Sequence, residues 1–169
     1  QIELLYEARQ TLESYGAPRV VAFRAGCFGA NTDTLKALAQ NGFWIDSSYN
    51  GAFLGGPCLM PDWGINDMEV RGGIFEFPVT NFQESTWMRP ERRMPMDING
   101  VSFEEMHHVL ESSLRKEGPH AITVILHSFS FVHARGWGRV PAQPICLRGL
   151  YACHGRSSPH GDRGADGAV

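Results

Sequence analysis

Three short apolar runs most constrain what this chain can fold into: Val20-Val21-Ala22-Phe23, Phe43-Trp44-Ile45 and Ala121–Leu126. A strand with one wet face alternates apolar and polar residues. An unbroken apolar run is instead the mark of a strand buried on both faces, as in a parallel sheet covered by helices. The segments between the runs carry helical spacing. Leu5, Ala8, Leu12 and Tyr15 recur at three, four and three residues, predicting a helix over 2–15 that stops at Gly16. Asn31 is placed to cap a second helix, with Asp33 in its first turn, Leu35, Leu38 and Ala39 on its inner face, and Gly42 at its end. Ser102-Phe103-Glu104-Glu105 spells a capping box, and Met106, Leu110 and Leu114 extend an apolar face up to Gly118-Pro119. A further strand is expected at 73–79. Residues 47–72, with five glycines and two prolines, are expected to form a long loop over a site, and the stretch holding Pro90 and Pro95 to be irregular. The order helix, strand, helix, strand, strand, helix, strand predicts an α/β fold with a parallel sheet.

At 169 residues and 43% hydrophobic content the chain can bury one core. Its net charge of -3 provides no basic field of the kind that nucleic acids or anionic membranes require, and no apolar run approaches the roughly 20 residues of a membrane span. The first residues are polar and amphipathic, unlike a signal peptide, and Gln1 is not an initiator methionine. Cys27, Cys58, Cys146 and Cys153 form no C-x-x-C pair, so they read as buried or incidental thiols. Residues 1–132 are expected to form the ordered unit. Residues 133–169, with seven glycines, three prolines, five arginines and three histidines and no period after Leu150, read as a low-order or non-native tail. A change of reading frame after Val140 would account for that shift in composition.

Arg24, Asp46 and His127 each lie just past the carboxyl end of an expected strand, where α/β folds gather their active sites. Parallel neighbouring strands would bring the three together. Residues 23–31, Phe-Arg-Ala-Gly-Cys-Phe-Gly-Ala-Asn, join a strand to a helix through glycines, a turn able to offer backbone N–H groups to an oxyanion. Each has a plainer reading: Arg24 as a surface cation on a tight turn, Asp46 as a turn former beside Ser47 and Ser48, His127 as a satisfied core histidine. His107 and His108 are helix neighbours pointing about 100° apart and cannot chelate one ion together. Trp63, Trp87 and Trp137 fit either a core edge or the stacking of sugar rings.

FRAGCFGAN at 23–31, DSSYN at 46–50 and ILHSFSF at 125–131, in this order, together with EFPVTNF at 76–82 and the RP pair at 89–90, resemble the polysaccharide deacetylase family. That family is also called carbohydrate esterase family four or the NodB-homology domain. The resemblance spans residues 2–132 and implies the C-terminal part of a partial, distorted (β/α) barrel. It further implies metal-dependent removal of acetyl groups from the amines of an N-acetylated sugar polymer, with a divalent metal, commonly zinc, held by an Asp and two His. On this resemblance Arg24 orients the catalytic base aspartate, and the main-chain N–H of Phe28 helps bind the tetrahedral oxyanion. Asp46 holds and tunes the general-acid histidine, and His127 protonates the leaving amine. Phe28 stands where the family usually has tyrosine, and Gly26-Cys27 replace a proline-rich spelling.

The family's first two motifs, an Asp-Asp strand end and a spaced His pair, do not occur in this sequence. Metal ligands and catalytic base are therefore expected upstream of Gln1, and this chain alone is expected to be inactive. Two other readings are a non-catalytic carbohydrate-binding relative of the same fold, and a same-fold hydrolase acting on a small amide.

Overall fold

The computed structural model describes residues 1–86, 89–115, 118–127 and 130, with 85, 86 and 89–91 described by backbone alone. The expected tail at 133–169, together with Trp87, Trp137, Cys146 and Cys153, lies outside the described residues.

Three helices form where the spacing and caps predict them: α1 at Ile2–Ser14, α2 at Thr32–Gln40 and α3 at Phe103–Leu114. Each cap of the last two is reciprocal. Asn31 Oδ1 accepts from Thr34 N at 3.0 Å while Thr34 Oγ1 accepts from Asn31 N at 3.1 Å. Ser102 Oγ accepts from Glu105 N at 3.3 Å while Glu105 Oε2 accepts from Ser102 N at 2.9 Å. Such a box satisfies two backbone donors that the first turn otherwise leaves without partners. Gly42 ends α2 at φ +72°, and a Cβ there would stand 3.0 Å from Arg9 Nη1, so only glycine meets both the left-handed turn and the close approach of α1.

The inner faces differ from expectation in two helices. In α1 only Leu5 is buried, while Ala8 is exposed, Leu12 is 52% exposed and Tyr15 88% exposed. The helix is held instead by polar anchors: Arg9 Nη1 donates to Asn41 O, and Glu13 Oε1 accepts from Val20 N at 2.9 Å and from Arg9 Nε at 3.0 Å. In α2 Ala37 is buried and Ala39 exposed, because the packed arc runs through Thr34, Leu35, Ala37 and Leu38.

Four short strands form a mixed sheet: β1 at Ala22–Phe23, β2 at Ile45–Asp46, β3 at Glu69–Arg71 and β4 at Ile74–Glu76, in the order β1-β2-β4-β3. The first two pairings are parallel, with Phe23 opposite Asp46 and Asp46 opposite Glu76. The third is antiparallel, through a hairpin whose turn residues Gly72 and Gly73 both have positive φ. A Gly-Gly pair between residues of high strand preference is a hairpin signal, and it converts the end of the expected long loop into β3. Burial on both faces holds only in part: among the described residues β1 is an edge with Ala22 exposed, and Trp44 is 51% exposed beneath the Arg19 guanidinium.

The stretch expected to be irregular contains a two-stranded antiparallel sheet, β5 at Asn81–Thr86 and β6 at Arg89–Pro95. Its polar residues carry no apolar alternation for a sequence reading to find, and Pro95 is tolerated at the end of the ladder. The run at 121–126 is extended but forms no named strand. Thr80 N donates to Thr123 O and Ile125 N to Met96 O, while Thr123 N donates to the Thr80 hydroxyl instead of a ladder carbonyl. Only the single bridge Asp97–Ile125 results, and Leu126 is 47% exposed.

Two apolar clusters support these elements. Leu5, Leu35, Leu38, Phe43, Tyr49 and Ile74 pack α1 and α2 against the sheet. Met96, Ile98, Val101, Met106 and Val109 seat α3 beside the extended 122–124 segment. The described residues are mixed α/β and form no closed barrel. No described helix is long and apolar enough to cross a membrane.

Candidate functional site

The turn after β1 is built by strain that the surrounding contacts hold in place. Residues Gly26–Phe28 form one 3₁₀ turn, with Cys27 at φ +51° and Phe28 at φ +58°. Two successive non-glycine residues in the left-handed region are costly and persist only where neighbours over-determine them. Here Ala25 N donates to Ser48 Oγ at 2.9 Å, Phe28 packs face to face on Phe53 at 5.6 Å, and Phe28 N donates to Ala25 O at 3.1 Å. The Phe28 N–H, expected to face an oxyanion, is here donated to Ala25 O. The N–H groups of Gly26 and Cys27, residues that line the same cavity as Phe28, make no hydrogen bond to a described backbone carbonyl.

Arg24, Cys27, Phe28, Phe53, Asp97 and His127 share the lining of one cavity of about 570 Å³. The structure thus brings together three of the four residues singled out in the sequence, from segments more than a hundred residues apart. Phe53 and Asp97 also line a second cavity of about 400 Å³, bordered by Arg92 and Arg93. Asp97 was not expected here. It follows β6 and accepts from Asn99 N at 2.9 Å, and Asn99 Nδ2 in turn reaches Ser130 Oγ at 2.9 Å, the atom that accepts from His127 N at 3.0 Å. Its only sequence signal is an Asp-x-Asn turn.

Asp46 departs from its expected position. It is the last residue of β2, not a residue beyond it; it is fully buried and does not line the cavity. Its Oδ1 accepts from Ser48 Oγ at 2.6 Å and Ser47 N at 2.9 Å. Its register partner Glu76, also fully buried, accepts from Tyr49 N at 3.1 Å. Among the described residues no donor reaches Asp46 Oδ2 or Glu76 Oε2, and the register sets the two buried carboxyls on adjacent strands, where a hydrogen bond between them requires a proton on one. Burial, reinforced by the Asp46 charge, pushes Glu76 up to about 8; burial also raises Asp46, offset in part by its hydrogen bonds. Both shifts favour one proton held by the pair. Sequence reading missed Glu76 because an acid inside an apolar strand announces nothing until its cross-strand partner is known.

Arg24 extends from the turn to Ser47, and Ser47 Oγ donates to Phe77 O at 2.7 Å, so the guanidinium ties β1 to the segments that follow β2 and β4. Outside the cavity lining, Asp67 fixes the start of the segment that leads to His127. It accepts from His120 N at 2.9 Å, His120 Nδ1 at 2.7 Å and Ala121 N at 3.0 Å. His107 and His108 lie on α3, with His107 near Glu111 at 3.9 Å and tilted against Phe103. Cys27 is exposed and Cys58 buried, both as free thiols. Trp63 stacks on Tyr49 at 5.3 Å and belongs to the edge of the first apolar cluster.

Among the described residues no group of three or more His, Cys, Asp or Glu side chains is arranged to hold a metal ion. Asp97 and His127 alone do not fit the ligand set of a hydrolytic zinc, which takes three protein ligands. Comparison with protein-family models, with curated proteins and with solved structures finds no match for this chain.

Proposed function

We propose that this chain supplies one wall of the active site of a hydrolase that removes N-acetyl groups from a sugar polymer, as the C-terminal part of a partial (β/α) barrel of the polysaccharide deacetylase type. The observation that carries the reading is the shared cavity: Arg24, Phe28 and His127, chosen from the sequence by their motifs, line one space, and a second cavity shares its Phe53 and Asp97. The residues described here do not fit the divalent metal that the resemblance implies, so no step is assigned to it.

The chain's own residues divide the remaining work. The N–H groups at Gly26 and Cys27 stabilise negative charge on the amide oxygen as the carbonyl carbon becomes tetrahedral. His127 donates a proton to the leaving amine, a role suited to an imidazole near neutral pH. The stacked Phe28–Phe53 pair offers an apolar wall for a sugar ring, and the second cavity accommodates a neighbouring sugar.

The test is acetate release from N-acetylglucosamine oligomers by the protein containing this chain, in zinc- or cobalt-supplemented buffer. His127→Ala is expected to lower the rate roughly 10²- to 10⁴-fold, the usual worth of a positioned general acid. Full activity in that variant would remove His127 from the mechanism. Oligomer binding without acetate release under any metal would favour a non-catalytic sugar-binding protein.

A further inference from the structure

We infer that Glu76 and Asp46 hold a single proton between them, and that this shared proton positions the Arg24–Phe28 turn, making Glu76 a positioning residue of the site. The inference rests on reading the cavity as the active site.

The geometry is a short chain of contacts. Asp46 and Glu76 are paired in register on adjacent parallel strands, so their side chains leave the sheet on the same face, and neither has any exposed surface. One oxygen of each has no donor from elsewhere in the described residues. The other oxygens hold the backbone that shapes the cavity. Glu76 Oε1 takes the Tyr49 N–H, and Asp46 Oδ1 takes Ser47 N and the Ser48 hydroxyl. That same hydroxyl accepts from Ala25 N, the residue that opens the strained turn. With the proton in place, every link is a donor meeting an acceptor. Without it, two negative charges face each other with no exposed surface, and the strands must part or admit water.

The surrounding charges do not relieve that repulsion directly. Arg24, from the end of β1, hydrogen-bonds Ser47 and so stands one residue removed from the pair. From the loop, the Cys58 thiol lies 4.0 Å from Ser48 O, and the Tyr49 hydroxyl binds Asp62. On β3, Glu69 is opposite Glu76 in register, but its side chain is partly exposed and paired with Arg71. No protonated amine or guanidinium among the described residues makes an ion pair with either buried acid.

The experiment uses the full chain and no substrate, so its outcome is separate from the fate of the functional reading. Side-chain carboxyl carbons are followed by NMR across pH, and amide exchange is followed at Ala25, Ser47 and Tyr49 after correction for intrinsic rates. In the wild type one carboxyl of the pair is expected to titrate near 8, with protection at the three amides falling about tenfold or more from about pH 6 to about pH 10. Glu76→Gln, whose amide donates permanently to Asp46, is expected to keep that protection nearly constant. Titration of both carboxyls below about pH 6, or an equal loss of protection in the Gln variant, overturns the proposal.

Discussion

Arg24 donates from Nε to Ser47 O at 3.0 Å and from Nη2 to Ser47 Oγ at 2.7 Å, a two-pronged hold joining the end of β1 to the residue after β2. The planar fork of a guanidinium fits a carbonyl and a hydroxyl on one residue; an ammonium is a single point of charge. Arg24→Lys is therefore expected to destabilise the chain by about 1 kcal/mol in urea unfolding, and to lower acetate release more than it lowers stability. A lysine variant with the wild-type rate would show that the fork is dispensable.

Asp67 governs where the His127 segment begins. Burial would raise its carboxyl, but hydrogen bonds from His120 and from the amides of Ala121 and Met68 hold it well below the usual carboxylate range. A depressed folded value adds stability at pH above the unfolded value near 4, and that stability is lost as pH falls through the folded value. Asp67→Asn is expected to cost about 1 kcal/mol at neutral pH, its partly exposed side chain being screened by solvent, and to reduce the acid sensitivity of unfolding. Unchanged acid unfolding in the Asn variant would count against the clip.

Glu76 carries the opposite sign. Its folded value is raised to about 8, so the folded state keeps a proton that the unfolded chain releases near 4.5. Its contribution is fully present below that unfolded value and declines as pH rises toward 8. Denaturation midpoints are expected to fall over this interval in the wild type and to flatten in Glu76→Gln. A midpoint in the wild type that rises steadily over the same interval would contradict the assignment of the proton.

Met106 fills the second apolar cluster with no exposed surface, between Met96, Ile98 and Val109. Met106→Ala is expected to destabilise by about 3 kcal/mol, the transfer cost plus the cavity left behind. Because α3 and the 122–124 segment share this cluster, protection of Ile125 N should fall with it. A loss under about 1 kcal/mol would mean the cluster collapses around the deletion.

The local features of this chain were legible in order. Asn31, Ser102 and Glu105 mark helix starts because a cap is satisfied within four residues, and Gly42 marks a helix end for the same reason. Arg24, Phe28 and His127 were found from motifs, and their expected roles came from the resemblance those motifs carry. Other features depend on a partner that linear order does not specify. The face of α1 was misread because its packing rests on Arg9 and Glu13 reaching Asn41 and Val20, contacts that apolar spacing does not encode. The β5–β6 pairing escaped notice because a polar strand is stabilised by the strand it pairs with. Asp46 was expected just past a strand end, and Asp97 was not singled out at all; the sheet register buries the first beside Glu76, and the chain path carries the second into the cavity with His127. Sequence by itself determined the helices, the strand-end residues and the turn. Tertiary structure alone decided which of them meet and which acids are driven to hold a proton, because burial and charge proximity are properties of neighbours in space.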